Sequence, residues 1–258
     1  MAQRRLRCVP PHRADMTRTR YRDRIYRHYV EAATAPLAPT TLGGLAPRLP
    51  YLDRLVARHF PADRSAAILD LGCGHGALLH AAGAAGYTNL RGVDASPSQV
   101  AAARKLGIAE IHEGDLFDAM KTLPASSQDV VVTYDVIEHF DKDELIDATD
   151  QIARVLKPGG RWIIHVPNGA SPFVGVSLYG DLTHELAFTV ESLTQLALAS
   201  GFRSIDFFED TPIAHGLKSA VRLALWKLIR AGLRFYLTVE TGFSQPVLTQ
   251  NMLAVAVK

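Results

Sequence analysis

The sequence predicts an α/β fold, an open and mostly parallel sheet with helices on both faces, and three observations predict it. A short apolar run, Ile68 to Leu71, ends in Gly72, Gly74 and Gly76 and passes directly into a helix-forming segment, which reads as a buried strand turning sharply into a helix. Short strand-like runs then alternate with helical stretches as far as Val166. Finally, Pro158-Gly-Gly160 stops an amphipathic stretch just before another apolar run, Arg161 to Val166.

Taken in order, residues 1 to 30 are rich in arginine (Arg4, Arg5, Arg7, Arg13, Arg18, Arg20 and others), opposed only by Asp15 and Asp23. No apolar segment of a secretory signal stands there. The composition fits an organellar transit peptide, and equally a start at Met16 with residues 1–15 a disordered or artefactual extension. Tyr21, Ile25, Tyr26, Tyr29 and Val30 recur at helical spacing, so 1–50 reads as a basic extension and a helix, either covering the mouth of a site or simply packing. Thr34 to Pro50, rich in Pro, Gly, Thr and Ala, reads as a linker. Leu52, Leu55, Val56 and Phe60 make one helical face leading into the glycine strand. The second strand is Leu90 to Ala95, and Ser96-Pro97 caps the next helix, which runs to about Lys105. Ala109–Glu113 and Asp129–Asp135 are the third and fourth strands. Asp141 to Leu156 is an amphipathic helix and Arg161–Val166 the fifth strand. Thr189 to Ala199 is a helix closed by Gly201, and Phe202–Glu209 and Asn251–Val257 are strands. The domain proper spans 51–258, with a helical insertion at about 211–250 that no hairpin needs.

Composition narrows the function. The chain has 258 residues, 48% hydrophobic and 21% charged, enough for one domain with a sizeable core. A net charge of +2 carries no bulk field for nucleic acid, so a nucleic-acid partner is not expected. The two cysteines, Cys8 and Cys73, cannot frame disulfides, which points to a reducing cytoplasm. No apolar run is long enough to span a membrane. Oligomeric state is not legible.

The glycine turn predicts a nucleoside cofactor. Glycines let the backbone approach a ligand closely, and Asp94, about 20 positions beyond the turn, stands where ribose hydroxyls are gripped. Gly72-Cys-Gly-His-Gly-Ala77 also fits a loose dinucleotide pattern. Asp70, however, sits at the strand end, where it repels a pyrophosphate and suits a cationic amino acid moiety instead. Ile68-Leu-Asp-Leu-Gly-Cys-Gly-His-Gly76 resembles motif I of the class I S-adenosylmethionine-dependent methyltransferases, of the type 11/12 kind. Gly92-Val-Asp-Ala-Ser96 resembles their ribose segment, Glu113-Gly-Asp-Leu-Phe117 their adenine loop, and Leu156-Lys-Pro-Gly-Gly160 the turn before their fifth strand. The resemblance implies a Rossmann-like seven-stranded sheet, parallel except for an antiparallel final strand. It also implies S-adenosylmethionine as cofactor, held by Asp70, Gly72, Cys73, Gly74, Asp94, Ala95, Gly114, Asp115, Leu116 and Tyr134.

Methyl transfer from a sulfonium needs alignment above all, worth about 7–11 kcal/mol; a base beside a hydroxyl acceptor adds roughly 10²–10⁴-fold. The candidate catalytic residues are His139, after the fourth strand, and His184, in Tyr179-Gly-Asp-Leu-Thr-His-Glu185. As alternatives, Glu138 and His139 cap a helix, and Tyr179 and Asp181 are solvated loop residues. Asp135, Glu138, His139 and His184 together are similar to the metal site of small-RNA 3′-terminal 2′-O-methyltransferases, with Asp135 one methylene short. That resemblance implies a divalent metal as a second cofactor, lowering the pKa of the acceptor hydroxyl. His165 reads as a neutral core histidine, Cys73 as a small apolar residue, and His75 as a neighbour of the methionine end or of its supports.

In the insertion, Leu217, Val221, Leu225, Leu228, Ile229 and Leu233 form a stripe with Lys218, Arg222, Lys227, Arg230 and Arg234 around it. The plainer expectation is a lid packing that stripe on the domain; the other is a basic helix at 217–236 lying on an anionic membrane. The text Asp181-Leu-Thr-His-Glu-Leu-Ala-Phe-Thr189 resembles methyltransferases of bacterial polysaccharide and secondary-metabolite pathways, which implies O-methylation of a small hydroxylated, carbohydrate-like or lipid-linked sugar acceptor. Three other readings stay open: an RNA 3′-terminal 2′-O enzyme, a small-molecule N-methyltransferase, and a non-catalytic partner with the same fold.

Overall fold

A computed structural model describes Tyr21, Ile25 and residues 38–108, 110–243 and 247–258. The arginine-rich start, all but Tyr21 and Ile25 of the expected helix from Tyr21 to Val30, and residues 34–37 of the expected linker lie outside these residues.

The strands are β1 (Ala67–Leu71), β2 (Asn89–Asp94), β3 (Ile111–Glu113), β4 (Gln128–Tyr134), β5 (Leu156–Pro167), β6 (Ser204–Glu209) and β7 (Asn251–Val257). They form one sheet in the order β3-β2-β1-β4-β5-β7-β6. Every pair from β3 to β5 is parallel, and β7 runs antiparallel to both neighbours. This is the Rossmann-like arrangement that the resemblance implied. The chain winds outward in opposite directions from β1 and β4, so a crevice opens between their carboxyl ends, where open α/β sheets bind ligands.

The helices are α1 (Leu49–His59), α2 (Ala77–Ala84), α3 (Pro97–Leu106), α4 (Leu116–Lys121), α5 (Lys142–Val155), α6 (Val174–Leu178), α7 (Val190–Ala199) and α8 (Leu217–Thr241). Alternation along the strands divides the core into two layers. Ile68, Val130, Val132 and Ile163 pack with α1, α2 and α3. Leu69, Leu71, Val131, Trp162 and Ile164 pack with α4, α5 and α7. Trp162 is fully buried, and its indole N–H donates to Thr133 Oγ1 at 2.9 Å, so the polar edge is satisfied.

Several boundaries shift for local reasons. Leu42–Leu45 forms a 3₁₀ turn with Leu45 buried, so this end of the expected linker is packed structure. Ser96 holds the N-cap position of α3, yet its side chain makes no cap bond; its hydroxyl meets Ser98 instead. Asp141 caps α5 with a full capping box to Glu144. The fifth strand begins before Pro158, because Leu156 pairs with Gln128 and the register then slips at the Pro-Gly-Gly segment. The short helices α4 and α6 went unread; each is too brief to show a periodic face.

Candidate active site

The site is built at the carboxyl edge of β1, β2, β4 and β5. At β1, Gly72, Gly74 and Gly76 have φ of +69°, +55° and +79°. A Cβ on Gly72 would lie 2.4 Å from Val136 Cγ2, and one on Gly76 would lie 2.3 Å from Ile111 Cδ1. The turn therefore needs glycine for its backbone conformation and for its close packing alike. Asp94 braces it: Gly74 N–H donates to Asp94 Oδ2 at 2.7 Å, and Ser96 N–H donates to Oδ1 at 2.8 Å. Burial raises the Asp94 carboxyl, and those two N–H groups pull it back down.

Asp70 has no such support. It is buried at the end of β1, and its Oδ1 lacks any hydrogen-bond partner. Burial, then the nearby Asp94 carboxylate, pushes its pKa up to about 8. A buried carboxylate oxygen with nothing to bind is a site awaiting a cation. The amino acid end of S-adenosylmethionine supplies one, so Asp70, the glycine cradle and Asp94 fit this cofactor. Gly114 N–H donates to the Asp94 carbonyl at 3.0 Å, which ties the segment after β3 to β2. Asp115 caps α4, with Oδ1 accepting from Phe117 N–H and Asp118 N–H. Ala95 is exposed just beyond β2, and Leu116 is half-buried at the start of α4. Cys73 is largely buried, and burial drives its thiol well above the ordinary range, so it is no nucleophile. The His75 imidazole is lowered by burial, and its Nε2 has no partner.

After β4 the predicted metal set divides. Asp135 (φ +56°) turns its carboxylate to His165, with Oδ1 2.5 Å from Nδ1. Asp135 is therefore corrected out of the metal set, since the shorter side chain is held by another partner. On the other side of His165, Asp210 Oδ2 lies 3.6 Å from Nε2. Burial alone would lower this imidazole, but the Asp135 and Asp210 carboxylates outweigh it and hold the pKa at about 9. His165 is thus a buried imidazolium between two carboxylates, not the neutral core histidine expected. Tyr134 stacks on it, with ring centroids 4.0 Å apart and planes 8° from parallel. Only the tertiary fold brings Asp210 and Tyr51 to this group. Tyr51 also borders a groove of about 310 Å³ between α1 and β6 that touches none of the glycine-turn residues.

The remaining three residues converge. One ligand atom from each of Glu138, His139 and His184 lies within 4.8 Å of the others. Hydrogen bonds select the tautomers. Thr183 donates its hydroxyl to Asp181 Oδ1 at 2.6 Å, so Thr183 Oγ1 accepts from His139 Nδ1–H at 2.9 Å. His184 Nδ1 faces the Ser177 carbonyl at 2.9 Å, and a carbonyl can only accept. Each imidazole therefore carries its proton on Nδ1. Burial, then His184, pushes the His139 pKa down to about 4, so the ring is neutral. Glu138 Oε2 is buried without a partner. Two neutral imidazoles and an unpartnered carboxylate oxygen fit a divalent cation. The loop is held in place by Glu185 N–H and Leu186 N–H, both donating to the Glu138 carbonyl, and Tyr21 donates its hydroxyl to Glu185.

Comparison with known proteins agrees with this geometry. Residues 68–160, from β1 to the Pro-Gly-Gly segment, match the family model described as "Methyltransferase domain". No curated protein matches. Among solved structures, a SAM-dependent methyltransferase from Archaeoglobus fulgidus is similar at 20% identity and a TM-score of 0.63, covering 91% of this chain and 98% of that one. One from Mesorhizobium loti is similar at 19% identity and a TM-score of 0.57, covering 81% and 96%. Phosphoethanolamine N-methyltransferase 2 from Haemonchus contortus, in complex with S-adenosyl-L-methionine, is similar at 18% identity and a TM-score of 0.55, covering 95% of this chain and 58% of that one. These structures share the fold, and the glycine turn with Asp70 and Asp94 fits the methyl donor: residues 68–160 match a methyltransferase domain, set in the Rossmann-like fold of the S-adenosylmethionine-dependent enzymes.

Proposed function

We propose that this methyltransferase acts on oxygen of a small hydroxylated, carbohydrate-like acceptor, with a divalent cation held by Glu138, His139 and His184. The observation that carries this reading is the convergence of those three side chains beyond β4. An amine acceptor needs no such set, because its lone pair attacks without deprotonation at oxygen.

Each part of the chain then has a task. Asp70 receives the cationic amino acid end of the donor, the glycine cradle lets the backbone close on it, and Asp94 takes the ribose hydroxyls. S-adenosylmethionine supplies an electrophilic methyl group with a good leaving group. A divalent cation in the three-residue set would lower the pKa of the acceptor hydroxyl and orient it. The chain Asp181–Thr183–His139 holds the imidazole in its ligating tautomer, as supports behind metal ligands do. The Asp135–His165–Asp210 array, with His165 buried and the two carboxylates partly open to solvent, stiffens the floor between β4, β5 and β6.

Two measurements test the reading. Calorimetry of Mn²⁺ or Zn²⁺ against the cation-stripped protein should give one site per chain, lost in Glu138→Gln and His184→Ala. Mass spectrometry of products from labelled S-adenosylmethionine, with a panel of sugars, phenols, amines and RNA ends, should find methyl on oxygen of a small acceptor. Methylated amines alone, or unchanged turnover after exhaustive chelation, would refute it. Methylation of RNA ends would assign the same three residues to a different acceptor.

A further inference from the structure

Helix α8 is 25 residues long and has no buried residue. The expected lid, with its apolar stripe packed on the domain, is therefore not what the chain builds. At about 3.6 residues per turn, Leu217, Val221, Leu228, Ile229, Phe235 and Val239 fall within roughly a third of the circumference. All are exposed, with Leu217 at 83%, Phe235 at 73% and Leu228 at 71%. The opposite side, with Leu223, Trp226, Leu233 and Leu237, is half-buried and faces the protein. There Arg230 pairs with Glu209, the last residue of β6.

Charge says what covers the exposed stripe. Within α8 the cations Lys218, Arg222, Lys227, Arg230 and Arg234 face a single acid, Glu240. Arg222 and Lys227 stand exposed on opposite flanks of the stripe, and Lys218 at its amino end. Such a face suits a bilayer surface, where apolar side chains enter the acyl boundary and flanking cations meet anionic headgroups. Among the described residues no helix is long and apolar enough to cross a membrane, so α8 would lie in the surface rather than span it. A two-fold pairing of two copies along the stripe would set Lys227 against its own copy, which favours lipid as the occupant. We infer that α8 docks the protein on an anionic membrane surface. Glu209 ties the helix to the carboxyl edge of the sheet, next to Asp210 at the site, so docking would bring the acceptor mouth to the lipid. The inference is independent of which atom is methylated.

The test is sedimentation of the full chain with phosphatidylcholine vesicles, with and without phosphatidylglycerol, at low and high salt. Binding to the anionic vesicles, weakened by salt, is expected. Removing the two flanking cations, Arg222→Gln with Lys227→Gln, should weaken partition about 25-fold at about fivefold for each. Leu228→Glu with Ile229→Glu should abolish partition while leaving the affinity for S-adenosylhomocysteine unchanged, which confirms that the variant is folded. Absence of vesicle binding, or equal binding to neutral and anionic vesicles, overturns the inference. So does a vesicle-independent dimer that the Leu228/Ile229 variant dissolves, which would assign the stripe to a second copy of the chain.

Discussion

Replacing Asp70 by Asn should stabilise the cofactor-free protein at high pH and abolish cofactor binding. Asp70 is buried, its Oδ1 has no partner, and its pKa moves from 3.8 to about 8, chiefly through burial and secondarily through Asp94. At about 1.4 kcal/mol for each tenfold change in proton affinity, the ionised form costs on the order of 5 kcal/mol in the empty site. The sign follows from linkage. A carboxyl whose folded pKa is raised keeps its proton longer in the folded state, so the stability it confers is fully present below about pH 4. That stability is lost progressively as pH rises toward 8, at about 1.4 kcal/mol per pH unit. The Asn variant keeps the shape and removes this slope. Urea denaturation of both proteins from pH 5 to 9 without cofactor should therefore give curves that diverge as pH rises, with the variant the more stable. Calorimetry should show wild-type affinity for S-adenosylhomocysteine falling about tenfold per unit below pH 8, with no binding by the variant. Parallel stability curves, or tight binding by the variant, would refute the assignment of Asp70 as the group that receives the cofactor's cation.

Gly72→Ala forces a Cβ to 2.4 Å from Val136 Cγ2 at a φ of +69°; thermal denaturation should show a loss of about 1–3 kcal/mol, and binding of S-adenosylhomocysteine should weaken with it. Thr183→Val removes the acceptor for His139 Nδ1–H, so the affinity for Mn²⁺ should fall about 10–100-fold by calorimetry while cofactor affinity stays as it was. Asp141→Ala deletes the α5 capping box and should cost about 1–2 kcal/mol in urea denaturation with no change in either ligand. Glu138→Gln should leave S-adenosylhomocysteine binding intact and remove metal binding, which separates the two halves of the site.

What could be read along the chain was whatever nearest neighbours dictate. Strand β1, the turn through Gly72, Gly74 and Gly76, and Asp94 ending the next strand are local signals, because the turn's φ values and the strand's apolar run belong to consecutive residues. Helix α5 was equally legible, since Asp141 and Glu144 form its cap and Pro158-Gly-Gly160 follows its end. Hence the cofactor and the fold class were determined by the sequence alone. Pairings across the fold were not. Asp135 lay in a run that suggested a metal ligand, yet the fold sets His165 beside it, with Asp210 on the far side of the ring, and a carboxylate beside a buried imidazole binds it. The stripe on α8 showed which residues share a face but not which way that face turns, because helical periodicity fixes relative position and only packing against β6, through Arg230 and Glu209, fixes orientation. The tertiary structure alone decided that His165 is charged, that Glu138, His139 and His184 meet, and that the apolar side of α8 looks outward. Each of these depends on groups far apart in the chain, whose energies arise only once burial has removed water from between them.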